Sequence, residues 1–233
     1  GLVSIRTMEI FRRLGLSDFV RDTVFRRDCS LSMVYCTSIA GHFLGRIPYP
    51  SLQDEPDVPE SPETKWRCSQ IFLNPMLQGV VAANPLIDLR LMTTMESFTD
   101  HGSHVDVSVV NAKGETETLR GAYLIGCDGA GSAVRRALEI GMTGRNELDY
   151  SVAIFFRSAA LARDHKMGDA ERYFFLSEEG WWGNISAMDG YELWRLTVPG
   201  TKDTVPEIVA SAGDWIRRAL GTDDMPFEVI STL

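Results

Sequence analysis

One short segment in the middle of the chain holds its most distinctive group of chemically active residues. An apolar run at 123–125 predicts a buried strand, and Asp128 with Gly129 forms a turn dipeptide. Ser132 stands where a helix N-cap is expected, ahead of a predicted helix over 133–140. The segment is therefore predicted to run from a strand through a tight turn into a helix.

The groups at this corner suit a ligand that carries both hydroxyls and phosphate. Gly129 allows a ligand close to the backbone, and the helix start after Ser132 is expected to offer unpaired N–H groups to an anion. The Asp128 carboxylate suits hydroxyls or water, and Arg135 and Arg136 suit phosphate. A ribose-pyrophosphate ligand fits this set. An ordinary turn with a capping serine and two solvated arginines fits it as well.

The run Cys-Asp-Gly-Ala-Gly-Ser-Ala-Val-Arg-Arg at 127–136 resembles the Asp-Gly motif of the flavin-dependent aromatic hydroxylases. These are the group A flavoprotein monooxygenases of the p-hydroxybenzoate hydroxylase type. In that family the motif follows an apolar strand and serves both FAD and NAD(P)H. The resemblance implies that Asp128, Gly129, Ser132 and Arg135 bind cofactor.

Two further segments resemble the same family, in the same order along the chain. Arg-Thr-Met-Glu at 6–9 is similar to the segment whose arginine reaches the flavin. Ser-Gln-Ile-Phe-Leu-Asn-Pro-Met-Leu at 69–77 is similar to the segment whose glutamine contacts FAD, although the family often has Glu where Asn74 stands. The resemblance implies that Arg6 and Gln70 bind FAD. By themselves they are polar residues next to short predicted helices.

The first half of the chain also contains a loop and a predicted meander. Five prolines and several carboxylates predict a mobile, irregular loop at 46–65. A β-meander is predicted over 87–120, with strands at 87–98, 105–110 and 116–119. His101 and His104 fall at a hairpin tip and are predicted to be exposed turn residues rather than metal ligands, so no metal is expected. Pro75 predicts the start of a helix that runs over 76–84.

The second half predicts an antiparallel sheet backed by a helix. In the family such a sheet covers the substrate beside the flavin, and the resemblance implies a substrate site there. Candidate substrate-binding residues are Trp181, Trp182, Trp194 and Arg195, the arginine as a partner for a carboxylate or phenolate. Core packing of the aromatics and a solvated arginine are the alternatives. The predicted strands lie at 150–157, 172–176, 180–187, 191–198 and 227–231, with the helix at 205–220.

The predicted fold class is mixed α/β. Residues 1–148 are assigned to an incomplete FAD/NAD(P)-binding Rossmann-like domain with the inserted meander, and 149–233 to a substrate-binding domain that is mostly antiparallel sheet. The family's Gly-x-Gly-x-x-Gly after the first strand is absent from the sequence, and its later Gly-Asp motif is expected after the last predicted strand, beyond residue 233. The chain is therefore expected to be an internal part of a longer enzyme and to bind FAD weakly, or not at all, by itself.

Composition excludes several partners. The 233 residues carry a net charge of −9, and the sequence pI is about 5.0, which disfavours binding to nucleic acid or to anionic lipid. No apolar run has the length of a membrane span. Cys29, Cys36, Cys68 and Cys127 form no metal-type or redox pair, which favours a reduced, cytoplasmic protein. Homo-oligomerisation remains open.

The resemblance implies an FAD-dependent, NAD(P)H-using monooxygenase. Such an enzyme hydroxylates a phenol or another aromatic with O₂, through a flavin C4a-hydroperoxide. The sequence assigns no catalytic residue. Two alternatives remain: a related flavoprotein of another reaction class, and a non-catalytic fragment that binds an apolar ligand.

Overall fold

The computed structural model describes residues 1–145, 149–163 and 165–233. The chain divides into two units, Gly1–Gln78 with Glu147–Leu233, and Gly79–Asn146. This division differs from the functional boundary predicted at residue 148, because a strand at residues 33–36 pairs with a strand from the second half of the chain. The assignment of cofactor and substrate roles to 1–148 and 149–233 stays a prediction. The mixed α/β class is confirmed.

Strands and helices are numbered along the chain within the described residues. The strands are β1 (Leu2–Val3), β2 (Met33–Cys36), β3 (Phe43–Ile47), β4 (Trp66–Arg67), β5 (Thr94–Asp100), β6 (Val105–Val110), β7 (Thr116–Gly121), β8 (Tyr150–Arg157), β9 (Arg172–Ser177), β10 (Gly180–Ala187), β11 (Leu193–Gly200) and β12 (Glu228–Thr232). The helices are α1 (Ile5–Arg13), α2 (Ser17–Arg21), α3 (Gln70–Ala82), α4 (Ala133–Ala137), α5 (Val205–Ala210) and α6 (Ala212–Leu220), with a 3₁₀ turn at Ala160–Ala162.

A seven-stranded sheet forms the frame of the first unit. Its strand order is β12-β8-β11-β10-β9-β2-β3, and β2 with β9 is the parallel pair among antiparallel neighbours. The predicted strands at 150–157 and 180–187 are confirmed to the residue. The short strands β1 and β4 pair separately.

One face of this sheet belongs to the buried apolar core. Ile154, Phe156 and Leu196 are fully buried in the core, together with Ile216 and Leu220 of α6. Helices α5 and α6 contact this face at β8, β10 and β11. Because successive side chains of a strand point to opposite faces, the residues between these apolar positions lie on the other face.

The helix predicted over 205–220 is two helices, α5 and α6, separated at Ser211. The Ser211 hydroxyl donates to the Glu207 carbonyl at 2.7 Å, a contact that commonly bends helices. Gly221 ends α6 in the left-handed conformation, with φ of 71°. None of the described helices combines the length and the apolar composition that crossing a lipid bilayer requires.

Helix α3 begins earlier than predicted. Gln70 is its first residue, and Pro75 lies inside it instead of at its start. The Ser69 carbonyl accepts the N–H groups of Phe72 and Leu73, both at 2.9 Å, which starts the helix upstream of the proline. Pro75 then removes one backbone hydrogen bond without ending the helix.

The proline-rich segment between β3 and β4 is irregular, as predicted. It is attached to the first two helices through Glu63, whose side chain is fully buried. Arg12 Nη1 lies 3.3 Å from the Glu63 carboxylate, and Arg21 also pairs with it. The Ser61 hydroxyl donates to Glu9 of α1 at 2.8 Å. These contacts fix one end of the loop.

The second unit contains the predicted meander. Strands β5, β6 and β7 form one antiparallel sheet, and β6 has the predicted bounds. The first strand begins at Thr94, later than predicted. The apolar run at 123–125 forms no strand, and Tyr123 and Ile125 are 88% and 81% exposed. No described strand pairs with this run, so the buried strand predicted there is wrong.

Candidate functional site

A cavity of about 710 Å³ in the first unit lies between the start of α3 and the second face of the large sheet. We call it the arginine cavity, after the three arginines in its wall. Gln70 stands on its helix side. The wall residues used below are Arg67, Gln70, Phe155, Arg172, Ser186 and Arg195.

Strand pairing explains why four of these side chains meet. Arg172 of β9 pairs with Ser186 of β10, Ser186 pairs with Arg195 of β11, and Arg195 pairs with Phe155 of β8. Directly paired residues share one face of a sheet, with Cβ atoms about 4.5–5.5 Å apart. The four side chains therefore form one row across the sheet, on the face opposite the buried core.

The arginine cavity holds more positive than negative side chains. Arg67, Arg172 and Arg195 line it, and one carboxylate, that of Glu171, lies next to them without being a wall residue. Glu171 pairs with buried Arg67, and its Oε1 lies 3.4 Å from Arg172 Nη2. Arg172 Nε also donates to the Ser186 hydroxyl at 3.1 Å. Among these groups, no carboxylate forms an ion pair with Arg195.

Two guanidinium nitrogens in the cavity wall lack an acceptor. The Nε atoms of Arg67 and Arg195 are buried, and neither finds a hydrogen-bond partner among the described residues. Burial lowers the pKa of Arg195, and the positive charge of Arg172 lowers it further. Burial also lowers the pKa of Arg67, which Glu171 partly offsets. A buried donor without an acceptor is costly, so the site favours an anionic ligand.

The three candidate tryptophans lie outside the described wall of the arginine cavity. Trp194 points into the core on the opposite face, where its Nε1–H donates to the Ser158 carbonyl at 3.0 Å. Trp182 stacks on Phe175 with ring centroids 5.0 Å apart, and Arg218 lies 4.2 Å above its ring. Of the four candidate substrate residues, the structure places only Arg195 in this cavity. Alternation along β11 separates Trp194 from Arg195.

Replacing Trp194 tests its place in the core. Trp194→Phe is expected to lower the free energy of unfolding by about 1–3 kcal/mol, because the Ser158 carbonyl loses its buried donor. Trp181→Phe is the matched control, because Trp181 is 48% exposed and its loss should change stability by less than about 0.5 kcal/mol. Urea unfolding of both variants gives the comparison. Equal losses would contradict the different placements.

At the Asp-Gly corner of the second unit, the backbone amides at the start of α4 differ from the prediction. Asp128 Oδ2 accepts the N–H of Ala133 at 2.6 Å and that of Val134 at 3.3 Å, and the Ser132 hydroxyl accepts the N–H of Arg135 at 3.0 Å. These amides are not unpaired, so the expected open anion site at this helix start is wrong. Helix α4 is also shorter than predicted and ends at Ala137.

The arginine at this corner makes local contacts as well. Arg135 donates to the Ala130 and Ile140 carbonyls, at 3.2 and 3.0 Å. Asp128 is solvent-exposed, and hydrogen bonds from the Ser132 side chain and from backbone amides hold its pKa below the usual range. Gly129 has φ of 78°, a conformation that explains a glycine at this turn. The corner is thus a closed turn with an exposed, ionised carboxylate.

Arg6 and Gln70 are both exposed in the first unit. The Arg6 side chain is 81% exposed, and its Nη1 lies 3.1 Å from Glu9 Oε2, one turn along α1. Gln70 opens α3 at the edge of the arginine cavity. Both side chains can therefore reach a ligand that approaches this unit from solvent.

The family model described as FAD binding domain matches residues 1–231 of the chain. The chain belongs to this family. Membership confirms the resemblance inferred from the Asp-Gly motif, from the segment at Arg6 and from the segment at Gln70, and it gives FAD as the family's cofactor.

The names of proteins with similar sequences are consistent with this family. The chain is 30% identical over 234 residues to a putative polyketide hydroxylase of Streptomyces coelicolor, covering 97% of this chain and 36% of that protein. It is 29% identical over 209 residues to the FAD-dependent monooxygenase apdD of Emericella nidulans, covering 84% of this chain and 33% of that protein. The chain thus spans about a third of the length of these curated relatives.

A solved structure gives the same fold. The rebeccamycin biosynthetic enzyme RebC with reduced flavin matches all of this chain with a TM-score of 0.86 and 29% identity, and the match covers 43% of RebC. The arrangement of the described elements is therefore one that a flavin-containing enzyme also uses.

The residues present fit FAD in part. Gln70 and Arg6 offer exposed polar groups in the first unit, and Gln70 borders a cavity whose Arg195 has a buried, unused donor. At the Asp-Gly corner the Asp128 carboxylate is available to hydroxyls, while the amides at the start of α4 are already paired. These groups therefore suit contacts to hydroxyls and ring edges better than they suit a phosphate.

Sequence reasoning missed Arg67, Glu171 and Arg172. A signal was present for Arg172, because it begins a predicted strand next to the strand of Ser186. Arg67 carried no comparable signal, since its contact with Glu171 joins positions 104 residues apart.

Proposed function

We propose that this chain is part of an FAD-dependent, NAD(P)H-using monooxygenase that hydroxylates an aromatic substrate, phenolic or related, with O₂. The single observation that carries the site is the arginine cavity, which three guanidinium groups line and where the Arg195 Nε–H lacks an acceptor. Membership in the FAD binding domain family and the named hydroxylase relatives support the reaction class.

When bound, FAD would supply the oxidation chemistry, taking two electrons from NAD(P)H and activating O₂ so that one oxygen atom goes to a ring carbon and the other leaves as water. Arg195 would bind a carboxylate or phenolate of the substrate, with its unpaired Nε–H as donor. Phe155, next to it in the row, offers an apolar surface to the aromatic ring. Arg195 and Arg172 would also lower the pKa of a bound phenol, because nearby positive charge favours the phenolate. A phenolate ring is richer in electrons and accepts oxygen more readily.

The cofactor residues remain part of the proposal. Gln70 and Arg6 would contact FAD from the first unit. Asp128, with Gly129 and Ser132 shaping its turn, would bind a cofactor hydroxyl through its exposed carboxylate. Arg135 would act by holding the turn through its contacts with the Ala130 and Ile140 carbonyls.

Location and assembly are also proposed. Cys29, Cys36, Cys68 and Cys127 are free thiols, which suits a reducing cytoplasm. Residues 149–233 would carry most of the substrate site, completed by Arg67 and Gln70. A homo-oligomer is part of the proposal, to be tested by light scattering.

The cofactor role of Asp128 can be separated from its role in the turn. In the full-length protein, Asp128→Ala is expected to reduce FAD retention or flavin reduction by NAD(P)H. Asp128→Asn keeps an acceptor for the Ala133 and Val134 amides but removes the charge. A loss in both variants assigns a cofactor contact to the carboxylate, and a loss in the alanine variant alone assigns a role in the turn.

The measurements are the flavin absorbance of the purified protein and the rate of NAD(P)H oxidation stimulated by an aromatic substrate. Asp203→Ala, at an exposed position before α5, is the matched control. Normal flavin content and reduction in both Asp128 variants would count against the cofactor role. A full-length protein without flavin would count against the proposed function as a whole.

A further inference from the structure

The hairpin between β5 and β6 gathers three metal-binding side chains that the proposed function does not use. His101 stands in the turn, His104 directly precedes β6, and Asp106 lies on β6. One ligand atom from each residue lies within 4.8 Å of the others. We propose that His101, His104 and Asp106 form a binding site for a divalent transition-metal ion of the Zn²⁺ class.

The distances are close to those of a zinc site. His101 Nε2 lies 3.3 Å from Asp106 Oδ2, and His104 Nε2 lies 3.8 Å from Asp106 Oδ1. Imidazole nitrogens and carboxylate oxygens bind Zn²⁺ at about 2.0–2.2 Å, which places ligand atoms of a tetrahedral ion about 3.3–3.6 Å apart. The two His–Asp distances are therefore within a few tenths of an ångström of these values, and the remaining separation, within 4.8 Å, closes by rotation of the side chains. Three protein ligands leave a fourth position for water.

The turn holds both imidazoles on the same side of the hairpin. The His101 N–H donates to the His104 carbonyl at 2.9 Å, and the Gly102 N–H donates to Asp100 Oδ1 at 2.7 Å. Gly102 has φ of 78°, which this turn requires. The two rings stack with centroids 4.6 Å apart and planes 18° apart. The turn thus brings the two rings together, and each ring rotates from the stack to direct its Nε2 lone pair at a shared ion.

A neighbouring hydroxyl supports one ligand. Ser103 Oγ lies 3.0 Å from His104 Nδ1. When the hydroxyl accepts the Nδ1 proton, the Nε2 lone pair of His104 is left for the metal. Metal-binding histidines commonly use their second nitrogen in this way.

Arg120 is the competing cation at this site. Its Nε and Nη2 lie 2.7 and 2.9 Å from the two oxygens of Asp106. A carboxylate has about four lone-pair positions, so it can bind a metal and Arg120 together. Arg120 is 67% exposed and can also turn into solvent.

Titration of Zn²⁺ into the purified chain, followed by calorimetry, tests the site. One ion per chain is expected, and His101→Ala and His104→Ala should each weaken binding by about tenfold or more. The matched controls are His42→Ala, at an exposed histidine of the first unit, and Cys127→Ser, at an exposed thiol. Both should bind Zn²⁺ as the wild type does.

Two further measurements distinguish a formed site from scattered surface binding. Arg120→Gln removes the competing charge and should tighten Zn²⁺ binding several-fold. Co²⁺ should give visible absorption of a tetrahedral ion in the wild type, and the His101→Ala, His104→Ala double variant should lack it. Wild-type affinity no greater than that of the double variant overturns the proposal. So does unchanged affinity in both single variants, provided that circular dichroism shows the sheet intact.

Discussion

Arg195→Gln in the full-length protein is expected to lower kcat/KM for a carboxylated aromatic substrate by about 10- to 100-fold. The reason is that Arg195 offers a buried, unpaired Nε–H in the arginine cavity, and a hydrogen bond to a charged group contributes about 1.5–3 kcal/mol. Glutamine keeps a hydrogen-bonding side chain but lacks the charge and the length. Steady-state kinetics of substrate-stimulated NAD(P)H oxidation measure the effect.

A neutral methyl ester of the same substrate sharpens this test. Arg195→Gln should change kcat/KM for the ester much less than for the acid, because the ester has no charge for Arg195 to bind. Arg157→Gln is the matched control, since Arg157 lies on the adjacent strand β8 but pairs at the surface with Glu192, at 3.2 Å. Equal losses for acid and ester would mean that Arg195 supports the site without contacting an anion.

The second large effect concerns stability. Glu171→Gln is expected to lower the free energy of unfolding by about 3–5 kcal/mol, because it leaves the buried guanidinium of Arg67 without its counter-charge. The side chains of Arg67 and Glu171 are only 7% and 6% exposed, so solvent cannot replace the lost charge. Urea unfolding monitored by tryptophan fluorescence gives the value.

Replacing both partners should restore much of this loss. Arg67→Met with Glu171→Leu removes both members of the buried pair, and buried ion pairs exchanged for apolar residues are often close to neutral. Arg172, which is 28% exposed, loses its contact with Glu171 but keeps its bond to Ser186. Glu192→Gln serves as the control, because its pair with Arg157 is exposed and contributes about 0–1 kcal/mol. A double variant as unstable as Glu171→Gln would contradict an electrostatic cause.

The antiparallel sheet could be predicted from the sequence in detail. Strands β8 and β11 alternate between buried and less buried positions, and a tight turn at Asp189 and Gly190 sets the register of β10 with β11. Such signals are local, within one hairpin or one strand. The pairing of β2 with β9 was not predicted, because it joins segments that are distant along the chain.

The Asp-Gly corner shows how a correct motif led to a wrong local structure. Its residue types gave the family, but Asp128 itself accepts the amides that were expected to stay free. Aspartate is a good helix cap as well as a good partner for hydroxyls, and sequence does not separate the two uses. The strand at 123–125 failed for a different reason, since an apolar run pairs only where a neighbouring strand exists.

The predicted substrate-binding residues also show what residue type can and cannot predict. Arg195 could be chosen from its strand, whereas the charge balance around it depends on Arg67 and Glu171, which meet only in the folded sheet. Trp194 was chosen for its type, and one step of strand alternation places it on the core side. Residue type therefore selected a strand that borders the cavity, and strand pairing determines which of its residues face the cavity.

The parallel pairing of β2 with β9 has a consequence for biosynthesis. Strand β2, at Met33–Cys36, leaves the ribosome long before its partner at Arg172–Ser177 has been made. Until then the nascent chain exposes one unpaired edge of β2, a surface prone to aggregation. Strands β9, β10 and β11 follow one another closely and can form their hairpins first, so the early strands join a template that is already assembled. Chaperone dependence during synthesis should therefore fall sharply once β11 has emerged.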